Sequence, residues 1–403
     1  MKYKIRLLDI KNIPEGISEF NKIGATAAGQ KIMAEKLFPL AVKVKGLKAP
    51  AANILKQEML ARGGDVVTSR DMLIDRSGKT DVIIQGSFKS FESLIIKLKI
   101  QPFGLKELSA ELETFLDSYK KNLRDKEYSI GGKKFNTGSA PLIMGILNTT
   151  PDSFFDGGRY SSYKSAVDRA VKMIDEGADI IDIGGQSSRP GSKPVDSGEE
   201  LKRTIPLIKY IHDNYNALIS IDTYRSEVAE RAVSAGAHII NDISALTMDE
   251  SMVQVVSKSG SAVVLMHMKG NPGDMQDDPK YSDVIDEIYE YLDRRASHAV
   301  KSGISADKII IDPGIGFGKT LEHNLVILNK IREFSSMGFP VLVGASRKSF
   351  IGKILDLPVE ERLEGSIAAA VWAIVSGVNI LRVHDVSATT RAVKTAYSIM
   401  TGY

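Results

Sequence analysis

From residue 142 to the C-terminus the chain repeats one unit eight times: a short apolar strand, a turn and an amphipathic helix. Expected strands fall at 142–148, 179–184, 218–223, 238–243, 262–268, 308–312, 340–345 and 379–384. They read as near-continuous Ile, Val and Leu runs, the mark of parallel strands covered on both faces. Expected helices fall between and after them, at 161–176, 197–214, 226–235, 249–259, 281–302, 321–336, 363–376 and 388–401. Eight such units fill the length of a (β/α)8 TIM barrel, about 250 residues. A doubly wound sheet is the rival, but its strands rarely number eight at such even spacing. Just before the first strand, YSIGGKKF (128–135) reads as a hairpin around Gly131-Gly132 that caps the barrel floor.

Residues 1–125 follow another rule. Strand-like pieces at 2–9, 41–45 and 81–84 alternate with helices, and Leu105, Leu108, Leu112, Phe115, Leu116 and Tyr119 lie on one helical face. The expectation is a smaller α/β domain over 1–125 of open role, then a (β/α)8 barrel over 126–403. The apolar helix at 363–376, with Trp372, is read as core in preference to interface.

Composition removes several function classes. The 403 residues carry 53 basic and 50 acidic side chains, a net charge of +3, without the basic excess of a nucleic-acid binder. No run of about 18 apolar residues suggests a membrane span. MKYKIRLLDI is a charged, strand-like alternation and not a signal peptide. The chain has no cysteine, so disulfides, thiol catalysis and Cys-held metals are excluded. A reducing cytoplasm is the expected compartment.

Barrel chemistry sits at the carboxyl ends of the strands, and these ends are polar. They carry Asn148, Asp182, Asp222, Asn241, Asp242, His267, Asp312, Ser346-Arg347-Lys348, Arg382 and His384. One Asp at a strand–helix junction is an ordinary helix cap, and one His is an ordinary core residue. Eight polar strand ends together are not ordinary. Asp222, Asn241 and Asp312 suit a flat heterocycle with several N–H donors and a carbonyl, such as a 2-amino-4-oxo pyrimidine, because a carboxylate accepts a ring N–H and an exocyclic amine as a fork. Lys348 can donate to the ring's carbonyl or nitrogen. Arg382 and His384 suit a phosphate. The Asn148 oxygen with phosphate oxygens suits Mg2+. Long glycine-bearing loops follow the first two strands, 148–161 and 184–194, and Arg189 in the second is placed to meet an anion.

IIIDPGIGFGKT (309–320) looks like a nucleotide P-loop and is not one. Only three residues separate Gly314 from Gly318, where a P-loop has four, and Pro313 offers no N–H to a phosphate. Asp312 before the glycines is the expected functional residue. Gly316 allows a flat ring to approach, Phe317 gives it a wall, and Gly318-Lys319-Thr320 reads as an ordinary helix start.

MGILNTTPDSFFDGG, IIDIGGQSSRPG, SIDT, HIINDIS, LMHMKGNP, IIIDPGIGFGKT, VGASRKSF and LRVHDV, in that order, resemble the dihydropteroate synthase family. The likeness spans about residues 128–403 and touches every unit. It implies joining of 4-aminobenzoate to (7,8-dihydropterin-6-yl)methyl diphosphate. It places the pterin on Asp222, Asn241, Asp312 and Lys348, with Met268, Gly316 and Phe317 lining the pocket and Asp182 nearby. It places diphosphate on Asn148, Arg382 and His384, with Mg2+ on Asn148. It places 4-aminobenzoate against the two loops, Ser346 and Lys348, with Ser188, Arg189, Pro190 and Phe317 as neighbours. The family pattern has Glu and Thr where this chain has Gln186 and Ser188, which puts loop order or the second substrate in question. Asp182 and Asp156 would favour a cation on the pterin methylene, with Lys348, Arg382 and His384 completing the catalytic set. A homodimer is expected. Rivals are a synthase for a modified aminobenzoate, a methyltetrahydrofolate:corrinoid methyltransferase, and an NTPase built on the Gly-Lys-Thr.

Overall fold

The computed structural model describes residues 5–8, 10, 13–70, 78–122, 127–149, 158–186, 195–271, 273 and 275–402. The chain divides into two compact units, Met1–Leu123 and Arg124–Tyr403.

In the first unit, strands β1 (Pro39–Lys48), β2 (Asp65–Thr68) and β3 (Lys79–Ser87) form an antiparallel sheet in the order β1-β3-β2. Helices Ala49–Leu60 and Phe88–Leu98 bury Leu55, Met59, Phe91 and Leu94 in one core with Val66, Val82 and Ile84 of the sheet. Helix Leu105–Asn122 adds Leu105, Leu108, Leu112 and Leu116 to it, on the face its spacing predicts. Ile5–Leu8, expected within a strand, carry none, and Ile5 is 93% exposed. Alternation alone makes no strand without a neighbour to bond.

The second unit is the barrel. Its strands are β6 (Leu142–Asn148), β7 (Ile180–Gly184), β8 (Leu218–Asp222), β9 (Ile239–Asp242), β10 (Ala262–Met266), β11 (Ile309–Asp312), β12 (Leu342–Val343) and β13 (Ile380–Val383). All pair in parallel, in the order β11-β10-β9-β8-β7-β6-β13-β12. A bridge between Ile311 and Val341 closes the ring, with Ile311 N–H donating to Pro340 O at 3.0 Å. The sixth repeat's helix stops at Asn329 and continues as a 3-10 turn, Ile331–Met337. A short helix, Ser349–Leu355, follows the seventh strand and has no counterpart in the sequence reading.

Strand alternation sorts the side chains. Ile181, Ile183, Ile219, Ile221, Ile240, Val263, Leu265 and Ile311 point outward into the helices. Met144, Ile180, Leu218, Ile239, Val264, Ile310, Leu342 and Ile380 point inward and fill the lower barrel. Ile130 of the hairpin β4 (Glu127–Ile130) and β5 (Lys133–Asn136) joins that inner cluster. Its turn has φ +56 at Gly131 and +76 at Gly132, the left-handed pair of a two-residue hairpin. Lys308 Nζ donates to Ser129 O at 3.1 Å, tying the hairpin to the foot of the sixth strand. Trp372 departs from its core reading: it is 49% exposed, with its indole N–H on Leu328 O at 2.8 Å. Among the described residues no helix is long and apolar enough to cross a membrane.

Candidate active site at the barrel mouth

Above the apolar inner layer the same alternation turns polar. Asp182 on β7, Asn241 on β9, Asp312 on β11 and Arg382 on β13 are each two residues beyond an inward apolar one, Asp222 on β8 is two beyond the buried Ser220 and four beyond Leu218, and all point into the barrel. Arg382 spans them. Its Nε donates to Asp182 Oδ2 at 2.6 Å and its Nη2 to Asp222 Oδ2 at 2.7 Å. Asn241 Nδ2 donates to Asp182 Oδ2 at 3.2 Å. Asp182 is 0% exposed and lies below the others.

A narrow cavity opens over this layer, lined by Asp222, Asn241, Asp312, Lys348 and Arg382 with Ile243, Met266, Ile315, Phe317 and Gly344. Its lining pairs an apolar wall with a polar edge, the make-up of a small-molecule site. One wall is the glycine loop after β11. Gly314 N–H donates to Asp312 Oδ1 at 2.7 Å, and a Cβ at Gly314 (φ +69) would sit 2.0 Å from His267 O. Gly316 (φ +80) packs against the Lys348 stem, whose Nζ stands 4.0 Å from the Phe317 ring centroid. Glycine is required at both positions, once for backbone contact and once for a side chain.

The electrostatics follow from burial. Burial pushes the Asp222 carboxyl up to about 7; Arg382 pulls against it and the Asp182 charge adds to the push. Burial also raises Asp312, opposed by the Gly314 N–H and by Lys348 and Lys319. Burial works against the Arg382 charge, yet Asp182 and Asp222 outweigh it and hold the guanidinium above its ordinary range.

The rest of the mouth is placed as follows. Asn148 is half-buried at the end of β6, and its Oδ1 lies toward Gly184 beside Asp222. His384 Nδ1 meets Ser346 Oγ at 3.2 Å, and the same hydroxyl accepts from His384 N–H at 3.2 Å. Met268 is half-buried and packs against Met266, Met275, Ile243 and Phe317. Arg382, expected with His384 on an anion side, bonds two carboxylates, Asp182 and Asp222, so the two halves of the mouth meet at its guanidinium. Asp242 leaves the mouth altogether: its carboxylate accepts from Ser244 N–H, Ser244 Oγ and Leu246 N–H at 2.7–2.8 Å and folds the turn that holds Ala245 and Leu246 at φ +52 and +65. Asp156, Ser188, Arg189 and Pro190 lie outside the described residues. Gln186 stands at the near end of the second loop, accepting from Val195 N–H at 3.3 Å and donating to Tyr224 OH at 3.4 Å.

Sequence reasoning passed over Arg347 as a structural part. In the left-handed region at φ +56, it forks onto Asp385 through Nε and Nη2 at 2.8 and 2.9 Å. That joins the Ser346-Arg347-Lys348 turn to the residue after His384. An Asp directly following the last strand's His was the available signal.

Residues 144–384 match the family of pterin binding enzymes. Dihydropteroate synthase of Synechocystis is 46% identical over 268 residues, spanning 66% of this chain and 93% of that protein. Dihydropteroate synthase of Escherichia coli is 46% identical over 256 residues, 64% of this chain and 90% of that protein. Among solved structures, Yersinia pestis dihydropteroate synthase with a sulfonamide drug complex superposes with a TM-score of 0.65 at 38% identity, covering 69% of this chain and 100% of that one. Xanthomonas albilineans dihydropteroate synthase in complex with 7,8-dihydropteroate gives a TM-score of 0.62 at 36% identity, covering 68% and 99%.

Proposed function

We propose a division of labour at the barrel mouth for this chain, which belongs to the pterin-binding enzyme family, among its dihydropteroate synthases. The reaction joins 4-aminobenzoate to (7,8-dihydropterin-6-yl)methyl diphosphate. A C–O bond to diphosphate breaks, a C–N bond forms, the amine loses a proton, and 7,8-dihydropteroate results.

The observation that carries the assignment is the convergence of Asp222, Asn241 and Asp312 on one cavity with an apolar wall. Two carboxylates and an amide match the N–H donors and carbonyl of a pterin edge. Met266, Met268 and Phe317 cover its faces, Gly316 admits it, and Lys348 donates to its ring carbonyl or nitrogen. Asp182, buried beneath, orients Asn241 and Arg382. Arg382 and His384 bind the diphosphate, Arg382 with the N–H groups its two carboxylates leave over. The 4-aminobenzoate sits above, against Ser346 and Lys348, with Ser188, Arg189 and Pro190 of the second loop as neighbours.

Among the described residues no group of three or more His, Asp or Glu side chains could hold a metal. The donor set still fits Mg2+, which prefers oxygen and keeps several waters beside substrate phosphates: Asn148 supplies one oxygen and the diphosphate the rest. Bound there, the ion would neutralise charge on the leaving diphosphate. Asp182, with Asp156 from the first loop, favours positive charge on the pterin methylene as that bond opens. The aryl amine attacks as a neutral nucleophile, so no strong base is needed.

A cytoplasmic homodimer completes the reading. The cysteine-free composition fits a reducing compartment. Helices Leu321–Asn329, Ser349–Leu355 and Leu363–Val375 pack together and expose Leu325, Val326, Ile354, Leu355, Trp372 and Val375, an apolar face suited to a second copy. The deciding assay mixes enzyme, Mg2+, pterin diphosphate and 4-aminobenzoate and follows dihydropteroate and diphosphate. No product at saturation refutes the activity. Turnover of N- or ring-substituted aminobenzoates in preference to 4-aminobenzoate would assign the reading motivated by Gln186 instead.

A further inference from the structure

The Gly-Lys-Thr tail of the glycine loop contains a lysine that binds no phosphate and does not reach solvent. Lys319 is 2% exposed. Its ammonium donates to Phe317 O at 2.9 Å and His267 O at 3.3 Å, and meets His267 Nδ1 at 3.0 Å. An ammonium only donates, so the imidazole accepts at Nδ1 and carries its proton on Nε2. Burial and the Lys319 charge push the His267 imidazole down to about 2, so it stays neutral. Three donors meet three protein acceptors.

Those acceptors belong to two different walls of the cavity. His267 follows Met266 at the end of β10, and its N–H donates to Asp312 O at 2.9 Å. Phe317 belongs to the loop after β11. Both Met266 and Phe317 line the cavity. The two segments touch backbone to backbone: a Cβ at Gly318 (φ +63) would lie 2.2 Å from Lys269 O. Tyr281 OH, donating to Gly318 O at 2.8 Å, holds the same loop from outside. Burying a charge is costly unless it is fully partnered, and burial pushes Lys319 down to about 7 against the help of Asp312. A neutral side chain would pack there at less cost.

We infer that Lys319 is a positioning residue for the pterin: its buried ammonium clamps the Met266–Met268 segment to the Asp312–Phe317 loop and so sets the spacing of the pocket's two walls. The inference rests on the pterin reading of the cavity. Lys319 touches no substrate, so its loss is felt in pterin affinity and spares the aminobenzoate end of the mouth.

The test compares Lys319→Met, His267→Leu and His267→Gln with wild type, using calorimetric pterin affinity and the KM of each substrate. Lys319→Met should weaken pterin binding by about tenfold or more, since three charge-assisted bonds go, and leave the 4-aminobenzoate KM within about twofold of wild type. His267→Leu should shift the pterin values in the same direction by less, and His267→Gln, which keeps an acceptor, should recover most of that loss. A merely structural role would lower active protein without separating the two KM values. Unchanged pterin affinity in Lys319→Met, or equal rises in both KM values, overturns the inference. If Lys319→Met does not fold, the His267 pair decides, and equal pterin affinity for Leu and Gln overturns it. A wild type that turns over both substrates while binding no free pterin would refute the pocket reading instead.

Discussion

Arg382 on the last barrel strand bonds Asp222 on the third, Nη2 to Oδ2, at 2.7 Å. The same guanidinium holds Asp182, so one cation partners two buried carboxylates. Burial still raises the Asp222 carboxyl to about 7, against the pull of Arg382 and with the Asp182 charge adding to the push.

Pterin affinity should therefore depend on pH through Asp222. Its folded value, about 7, lies above the ordinary 3.8. The free fold gains most from this group below that ordinary value and loses the gain as pH rises through about 7. A bound pterin reverses the preference, because its N–H donors need the carboxylate. Affinity should fall about tenfold from pH 8 to pH 6, and Asp222→Asn should flatten that slope. Calorimetry across this range checks it; parallel slopes for the two proteins would contradict the assignment.

Asp312→Asn keeps an acceptor for the Gly314 N–H and loses the charge. Pterin affinity should drop by about a hundredfold, the scale of a lost charge-assisted fork, with the melting temperature nearly unchanged. Asp312→Ala should abolish binding and also cost stability, since it strands that N–H. Near-wild-type affinity for the Asn variant would remove Asp312 from the pocket.

If Asn148 and diphosphate hold Mg2+ as proposed, chelation should stop turnover and leave binding of a pterin without diphosphate intact. Asn148→Ala should raise the Mg2+ concentration needed for half-maximal rate by about tenfold. A metal titration of the rate gives the answer directly.

Gly131→Ala tests the hairpin. The added Cβ would lie 2.3 Å from His238 Cδ2 at a backbone φ of +56. The cost should be about 1–3 kcal/mol of stability, read by denaturant unfolding, with both KM values unmoved.

If the proposed dimer forms through the exposed apolar face around Trp372, Trp372→Glu should give a folded monomer in analytical ultracentrifugation. A dimer that survives would place the interface elsewhere.

Much of this was legible from parity and period. A polar strand end shares the face of the residue two before it, which is inward and apolar for Asp182, Asn241, Asp312 and Arg382, and the barrel-strand limits agree within two residues, the widest departures being at the fifth, which ends at Met266, and the seventh. There Pro340 and Gly344 leave only Leu342–Val343 in strand. Helix 249–259 begins late, at Met252, because the Asp249 carboxylate caps Ser226 and Ser251 instead of joining it. In the first unit β2 escaped notice, being four residues behind a Gly-Gly pair. Side-chain allegiance was harder. Arg382 shares the parity of Ile380, so its inward course was readable, but its choice of Asp182 and Asp222 needed the closed ring. Lys319 looked like a helix start because sequence shows no partner 52 residues away.

The Tyr128–Phe135 hairpin has one more effect. By stoppering the lower end it leaves the barrel a single door. What binds deepest must come in first and leave last, and anything seated nearer the opening bars its way out. A tight analogue of the second substrate should thus imprison a pterin already inside, slowing its escape without touching it.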